Sequence, residues 1–339
     1  MKRDAAQAKR MTDQINVLNI ALMLLSALLA FAWPFYLFLI AYAVLGPLHY
    51  LTEISWLHDR NYYTGRKHDA WLLIAVGVIF GATTLAGVAL RSAMPNLIIA
   101  AFLSSIVLAE TRGWAPRIAL LIMVILFVWL VPFSMSTVIS GLLLLTIVHV
   151  FVFTGCFILF GSVKSASRTG YLSFVVFLGL AWLLLAYRPM PGAGVADEFV
   201  LTHYTGGFGD LNVLLLRFFH LSPAGNLASD PFEFSSGAVA VMRFIAFAYL
   251  YHYLNWFSKT KIIRWHEVSR LRLASVGGIW LLAIAGYLID YNLGIKLLFT
   301  LSALHVLLEF PLDVKTIGGL ATTSFQQVKS GILALKPAG

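Results

Sequence analysis

Between Ile15 and Leu57 the chain carries a single formally charged residue, Glu53, and no other stretch constrains the fold as strongly. A helix crosses a bilayer with about 20 largely apolar residues, so this run is too long for one span and long enough for two. Trp33-Pro34 divides it, because proline suits the first turn of a helix and not its interior. Hydropathy alone then sets approximate spans at 15–32, 34–57, 70–90, 95–110, 116–132, 136–160, 170–187, 237–258, 272–289 and 293–312. The fold class that follows is all-α: a polytopic integral membrane helix bundle of about ten transmembrane helices, one transmembrane domain over 1–339.

Composition enters as a check. Charged residues make up 12% of the chain and hydrophobic ones 60%, whereas soluble domains carry about 25% charged residues. A soluble enzyme, a disordered chain and a fibrous repeat are excluded. Residues 1–32 have the outline of a signal peptide, with Lys2, Arg3, Lys9 and Arg10 ahead of an apolar run that ends Ala30-Phe31-Ala32. They are read here as the first span. The lone cysteine, Cys156, rules out an intrachain disulfide and sits among apolar neighbours as a packing residue.

The formal charge of +9 fits either nucleic-acid binding or basic cytoplasmic loops, and position decides between them. With a cytoplasmic N-terminus, segments 1–14, 58–69, 111–115, 161–169, 259–271 and the residues after 312 face inward. Counting span-edge residues such as Arg117 and Arg272, they hold every Lys and Arg except Arg91, Arg188, Arg217, Arg243 and Lys296. Basic charge therefore sets topology, nucleic acid is no partner, and both termini are cytoplasmic. The expected location is the bacterial inner (plasma) membrane. An outer loop at 188–236 contains an apolar stretch, Leu211 to Leu221, too short to span and expected as an interfacial or re-entrant helix. A short cytoplasmic tail at 313–339 includes a segment, Ile317 to Leu335, that could lie on the inner membrane surface.

Function is read from the ionisable groups that do not avoid the membrane, because burying them in lipid costs several kcal/mol. Two acids stand inside spans, Glu53 and Glu309. Each follows a histidine by four residues, His49 and His305, a spacing that stacks both side chains on one helix face. His252 stands in a third span, roughly 10 Å from its cytoplasmic exit by helical rise, with His305 about 12 Å and His49 about 15 Å from theirs. His149, roughly 18 Å deep, is placed to cap this group from nearer the bilayer centre. The predicted metal ligands are His49, Glu53, His149, His252, His305 and Glu309, with Glu53 and Glu309 also the catalytic candidates. His58 and His266 lie just past span ends as peripheral candidates. Glu110 beside Arg112 reads as a surface ion pair, and His203 and His220 fall on the outer side.

Histidine with carboxylate and without cysteine suits iron, zinc or manganese and excludes iron–sulfur and blue-copper sites. One or two iron ions is the leading expectation, in a membrane oxidoreductase acting on a lipid-soluble substrate. A proton- or cation-coupled transporter would use the same groups as a relay, and a zinc-dependent lipid hydrolase would share the site without redox chemistry. Pro-Leu-His-Tyr at 47–50 and Tyr-His-Tyr-Leu-Asn-Trp at 251–256, within a many-span bundle, resemble the polytopic non-haem iron oxygenases of the Brp/Blh carotene-cleaving type. That resemblance implies iron and dioxygen, with His49, His149, His252 and His305 as the metal-binding histidines. The chain has no His-x3-His or His-x2-His-His box, which argues against the membrane desaturases.

Overall fold

A computed structural model describes residues 2–60, 74–75, 77–79, 81–82, 94–111, 113–131, 147–188, 198–221 and 235–334. The described residues are all-helical, with no strand among them. The helices are α1 (Lys2–Ala32), α2 (Pro34–Arg60), α3 (Met94–Glu110), α4 (Trp114–Leu130), α5 (Val148–Ser165), α6 (Arg168–Ala186), α7 (Glu198–Phe218), α8 (Ser236–Ser258), α9 (Thr260–Ile263), α10 (Arg270–Ile289) and α11 (Tyr291–Ala334). Seven of them are long and apolar enough to cross a membrane: α1, α2, α5, α6, α8, α10 and α11. The predicted span 70–90 and the first part of 136–160 fall largely outside the described residues, and α3 and α4 are shorter apolar helices.

Pro34 starts α2 from the first helical turn, as its fixed φ and missing N–H favour. The bundle is arranged around α8, nearly all of which is buried, whereas α10 has no fully buried residue. Such all-round burial explains how α8 can be aromatic and apolar on every face: Phe244, Phe247, Tyr249, Tyr251 and Tyr253 are all buried. Phe38, Tyr42, Tyr204, Phe208 and Tyr249 form an edge-to-face cluster with ring centroids 4.6–6.1 Å apart, joining α2 and α7 to α8. Polar side chains add specific links. Tyr251 Oη donates to Asn19 Oδ1 at 3.2 Å, and Trp256 Nε1 donates to Thr52 Oγ1 at 3.0 Å.

Two local departures from the hydropathy reading have physical causes. Where a loop was expected between 188 and 236, α7 runs for 21 residues and begins well before Leu211. Gly206, Gly207, Asn212 and Asp210 lower its hydropathy, yet Leu211, Leu215 and Leu216 are fully buried and Asn212 Nδ2 donates to the Ala238 carbonyl. At the other end of the chain, α11 does not stop near 312; it continues through Pro311 to Ala334. Pro311 only withholds the N–H that the Leu307 carbonyl would accept, which a packed helix tolerates. In the predicted third span, Gly77 and Gly81 are helical and sit against Leu304 and Thr300 of α11. Their missing side chains permit that close approach, in the manner of small residues one turn apart.

Basic connectors gather at one end of the bundle. Arg272 Nη1 meets Asp59 Oδ2 at 2.6 Å, Arg264 pairs with Glu267, and Asp13 accepts from Ser167 and Thr169 at 2.7 Å. Glu267 is held below the usual carboxylate range by its hydrogen bond from Arg264.

Candidate metal centre

Two of the four helices that carry the histidines contain a π-helical turn next to them. In α2 it spans Ala41–Leu45, one turn ahead of His49, and in α5 it spans Val148–Phe153 and contains His149. A π turn inserts a residue and shifts the face on which side chains emerge, and such insertions recur at functional sites. Trp280 Nε1 donates to the Val44 carbonyl at 2.8 Å, which satisfies one acceptor of the first of these turns. Gly46 follows it, and a Cβ there would lie 3.2 Å from both the Tyr50 and Tyr253 hydroxyls.

From these helices all six predicted ligands reach one place, each buried. On α2, His49 Nε2 stands 3.1 Å from Glu53 Oε2, and on α11 His305 Nε2 stands 3.2 Å from Glu309 Oε2, as the four-residue spacing requires. The two pairs join through His305 Nε2 and Glu53 Oε2 at 2.9 Å. His252 of α8 brings its Nε2 to 2.9 Å from His49 Nε2. His149 of α5 brings its Nε2 to 3.3 Å from Glu309 Oε2. The four imidazoles close a ring, with successive centroid distances of 4.6, 5.1, 5.2 and 4.9 Å in the order His49, His252, His149, His305. His149 therefore joins the same cluster as the other three.

Sequence reasoning missed two participants. Asp313 is fully buried, and its Oδ2 lies 3.3 Å from His149 Nδ1. The predicted cytoplasmic tail begins at this residue, although it continues the His305, Glu309 stripe by four residues. That i+4 continuation was the available signal. Thr154 Oγ1, on the turn of α5 after His149, lies 2.8 Å from His252 Nδ1. A threonine in an apolar span gives no comparable signal. Both support histidines from behind, leaving Nε2 toward the centre, as outer partners of metal ligands do. Among the described residues, Nδ1 of His49 and of His305 has no such partner.

The remaining candidates stand apart. His58 and His266 are exposed at the basic end, and Glu110 is exposed at the end of α3. His203 packs its ring against Tyr291 at 4.3 Å, and His220 turns the chain after α7 with φ 53°. His68 and Arg112 lie outside the described residues, and Cys156 is half-buried.

Glu53, Glu309 and Asp313 put three carboxyl groups in an apolar interior, and among the described residues no Lys or Arg forms an ion pair with any of them. An unpaired buried carboxylate costs several kcal/mol, so the group requires protons or a cation. At the centre His149 Nε2 and Glu309 Oε2 face each other at 3.3 Å, and among the described residues neither has a well-aligned hydrogen bond, although buried polar atoms are nearly always partnered. Donor atoms fall into two sets within metal-binding range, His49–Glu53–His305 and His149–His305–Glu309, which share His305. A cavity of about 190 Å³ opens from the centre toward the basic end, between Trp56, Asn255, Trp256 and Lys259.

Comparison of the chain with family models, with curated proteins and with solved structures finds no match.

Proposed function

We propose that this chain is a metal-dependent integral membrane enzyme, a non-haem iron oxidoreductase acting on a lipid-soluble substrate, with its site in the cytoplasmic half of the bilayer. The observation that carries the reading is the convergence of four imidazole Nε2 atoms and two carboxylate oxygens, at successive separations of 2.9–3.3 Å in a buried site. Imidazole with carboxylate and no thiolate is the donor chemistry of iron, zinc and manganese. His49, Glu53, His149, His252, His305 and Glu309 would hold one or two ions, and the shared His305 makes it the residue both sets depend on. Iron bound there supplies redox chemistry with dioxygen. The chain itself supplies orientation: Thr154 and Asp313 fix the rings of His252 and His149 from behind. Carboxylate left free of metal, Glu53 or Glu309, would hold or move a proton beside a substrate in the cavity. The resemblance of the 47–50 and 251–256 segments to Brp/Blh-type oxygenases points the same way.

A second reading has its own support. His252, His49, Glu53, His305, Glu309, His149 and Asp313 follow one another at 2.9–3.3 Å, an unbroken chain along which protons could pass. A proton- or cation-coupled transporter would use it as a relay. A zinc-dependent lipid hydrolase shares the ligands. Elemental analysis, with Mössbauer spectra of protein from cells grown on iron-57 before and after exposure to dioxygen, separates the three. The proposal expects bound high-spin iron whose spectrum changes with dioxygen. Zinc in place of iron supports the hydrolase, and folded protein without metal supports the relay.

A further inference from the structure

The cavity that leads to the centre has a polarity of its own. Its inner end is formed by His49, Glu53, His252 and Glu309, and its walls include the indoles of Trp56 and Trp256. Both indole N–H groups are already engaged, Trp256 with Thr52 Oγ1 and Trp56 with the Ile263 carbonyl, so these rings offer apolar surface. At the outer end stand Lys259 and, one turn deeper on α8, Asn255. Lys259 is half-buried, follows the last residue of α8, and has no ion pair with any acid among the described residues. Apolar walls around it push its ammonium down to about 8, so it is still mainly charged at neutral pH and would gain from an anion.

We infer that this cavity binds the head of a singly charged anionic amphiphile, of which a long-chain carboxylic acid is the simplest member, with Lys259 as its counter-charge and the chain directed at the His/Glu centre. One ammonium and one amide match a monoanionic head; a phosphate dianion calls for more donors. The apolar stretch between Lys259 and His252 covers roughly 10 Å, from the rise of seven helical residues. Carbons several bonds from the head would therefore be the ones to meet the centre. At about 190 Å³ the cavity is smaller than the roughly 300 Å³ at which pockets for whole ligands begin, so it accounts for the head and the first part of the chain only.

The inference rests on the enzymatic reading only for what happens to the chain after binding, and its test needs no turnover. Equilibrium binding of tritiated palmitate to the purified full-length protein, with hexadecanol as the uncharged counterpart, measures the role of the head directly. Palmitate should bind at least ten-fold tighter than hexadecanol to the wild type. Lys259→Gln should erase that difference by weakening palmitate alone, and Lys259→Arg should retain most of it. Equal binding of the two amphiphiles by wild type, or unchanged palmitate binding in Lys259→Gln, overturns the inference. His305→Ala, which leaves the head site intact, should still prefer palmitate. Loss of metal with preserved palmitate preference would separate a failure of the metal reading from a failure of this one.

Discussion

Asp313 and Thr154 touch histidines and not the centre itself, and this fixes what their removal should do. Each holds a ring through Nδ1, His149 at 3.3 Å and His252 at 2.8 Å. Losing such an outer partner lowers metal affinity by about 10- to 100-fold without abolishing binding. Asp313→Asn and Thr154→Val should each shift a chelator-competition curve by that amount. His49→Ala and His305→Ala remove a donor outright and should leave protein that no longer retains metal through purification. His305→Ala is expected to be the more severe, because both donor sets include it. The sequence placed all six of these donors in spans from two facts alone, the repeated four-residue His/Glu spacing and helical depth. It misjudged Asp313 because an acid near a span end is ordinarily solvated, and nothing in hydropathy separates that case from a buried one.

At the scale of elements, α11 carries three of the site's acidic and imidazole groups in one stripe, so what positions α11 positions the centre. Gly81 is one such contact: a Cβ there would fall 2.4 Å from Thr300 Cγ2, a stiff β-branched methyl five residues ahead of His305. Gly81→Val should cost about 1–3 kcal/mol of stability by overpacking, seen as a lower thermal midpoint, and should reduce bound metal as well. Gly77 meets the flexible end of Leu304 and should tolerate alanine better. Gly161→Ala and Gly179→Ala, with nothing within 4 Å, serve as controls that should change neither quantity. Helix existence was legible wherever apolar runs were long, as for α1, α6, α8 and α10. Boundaries were not, because the tertiary setting decides them. Leu211, Leu215 and Leu216 of α7 gain their burial from α8, and α11 passes through Pro311 although the isolated sequence reads as a stop.

The whole molecule has a basic end, reached by the connectors around Asp13, Asp59, Arg264 and Arg272, and the cavity of the centre opens toward it. The excess of Lys and Arg there predicts that this end faces the cytoplasm. In a Cys156→Ser background, Glu267→Cys should react with a membrane-impermeant maleimide only after the cells are opened, and His220→Cys should react in intact cells. The reverse pattern would invert the proposed topology. The charge balance of the interior bears on the central claim most heavily: three buried carboxyl groups and four imidazoles, none of the carboxyl groups ion-paired with a Lys or Arg among the described residues. Elemental analysis of gently purified wild-type protein, beside His305→Ala prepared in parallel, tests that claim most directly. The account predicts about one or two equivalents of a transition metal per wild-type chain, iron foremost, and a near-complete loss in the variant. Folded wild-type protein that carries no metal, and takes up none from added iron, zinc or manganese, would contradict it.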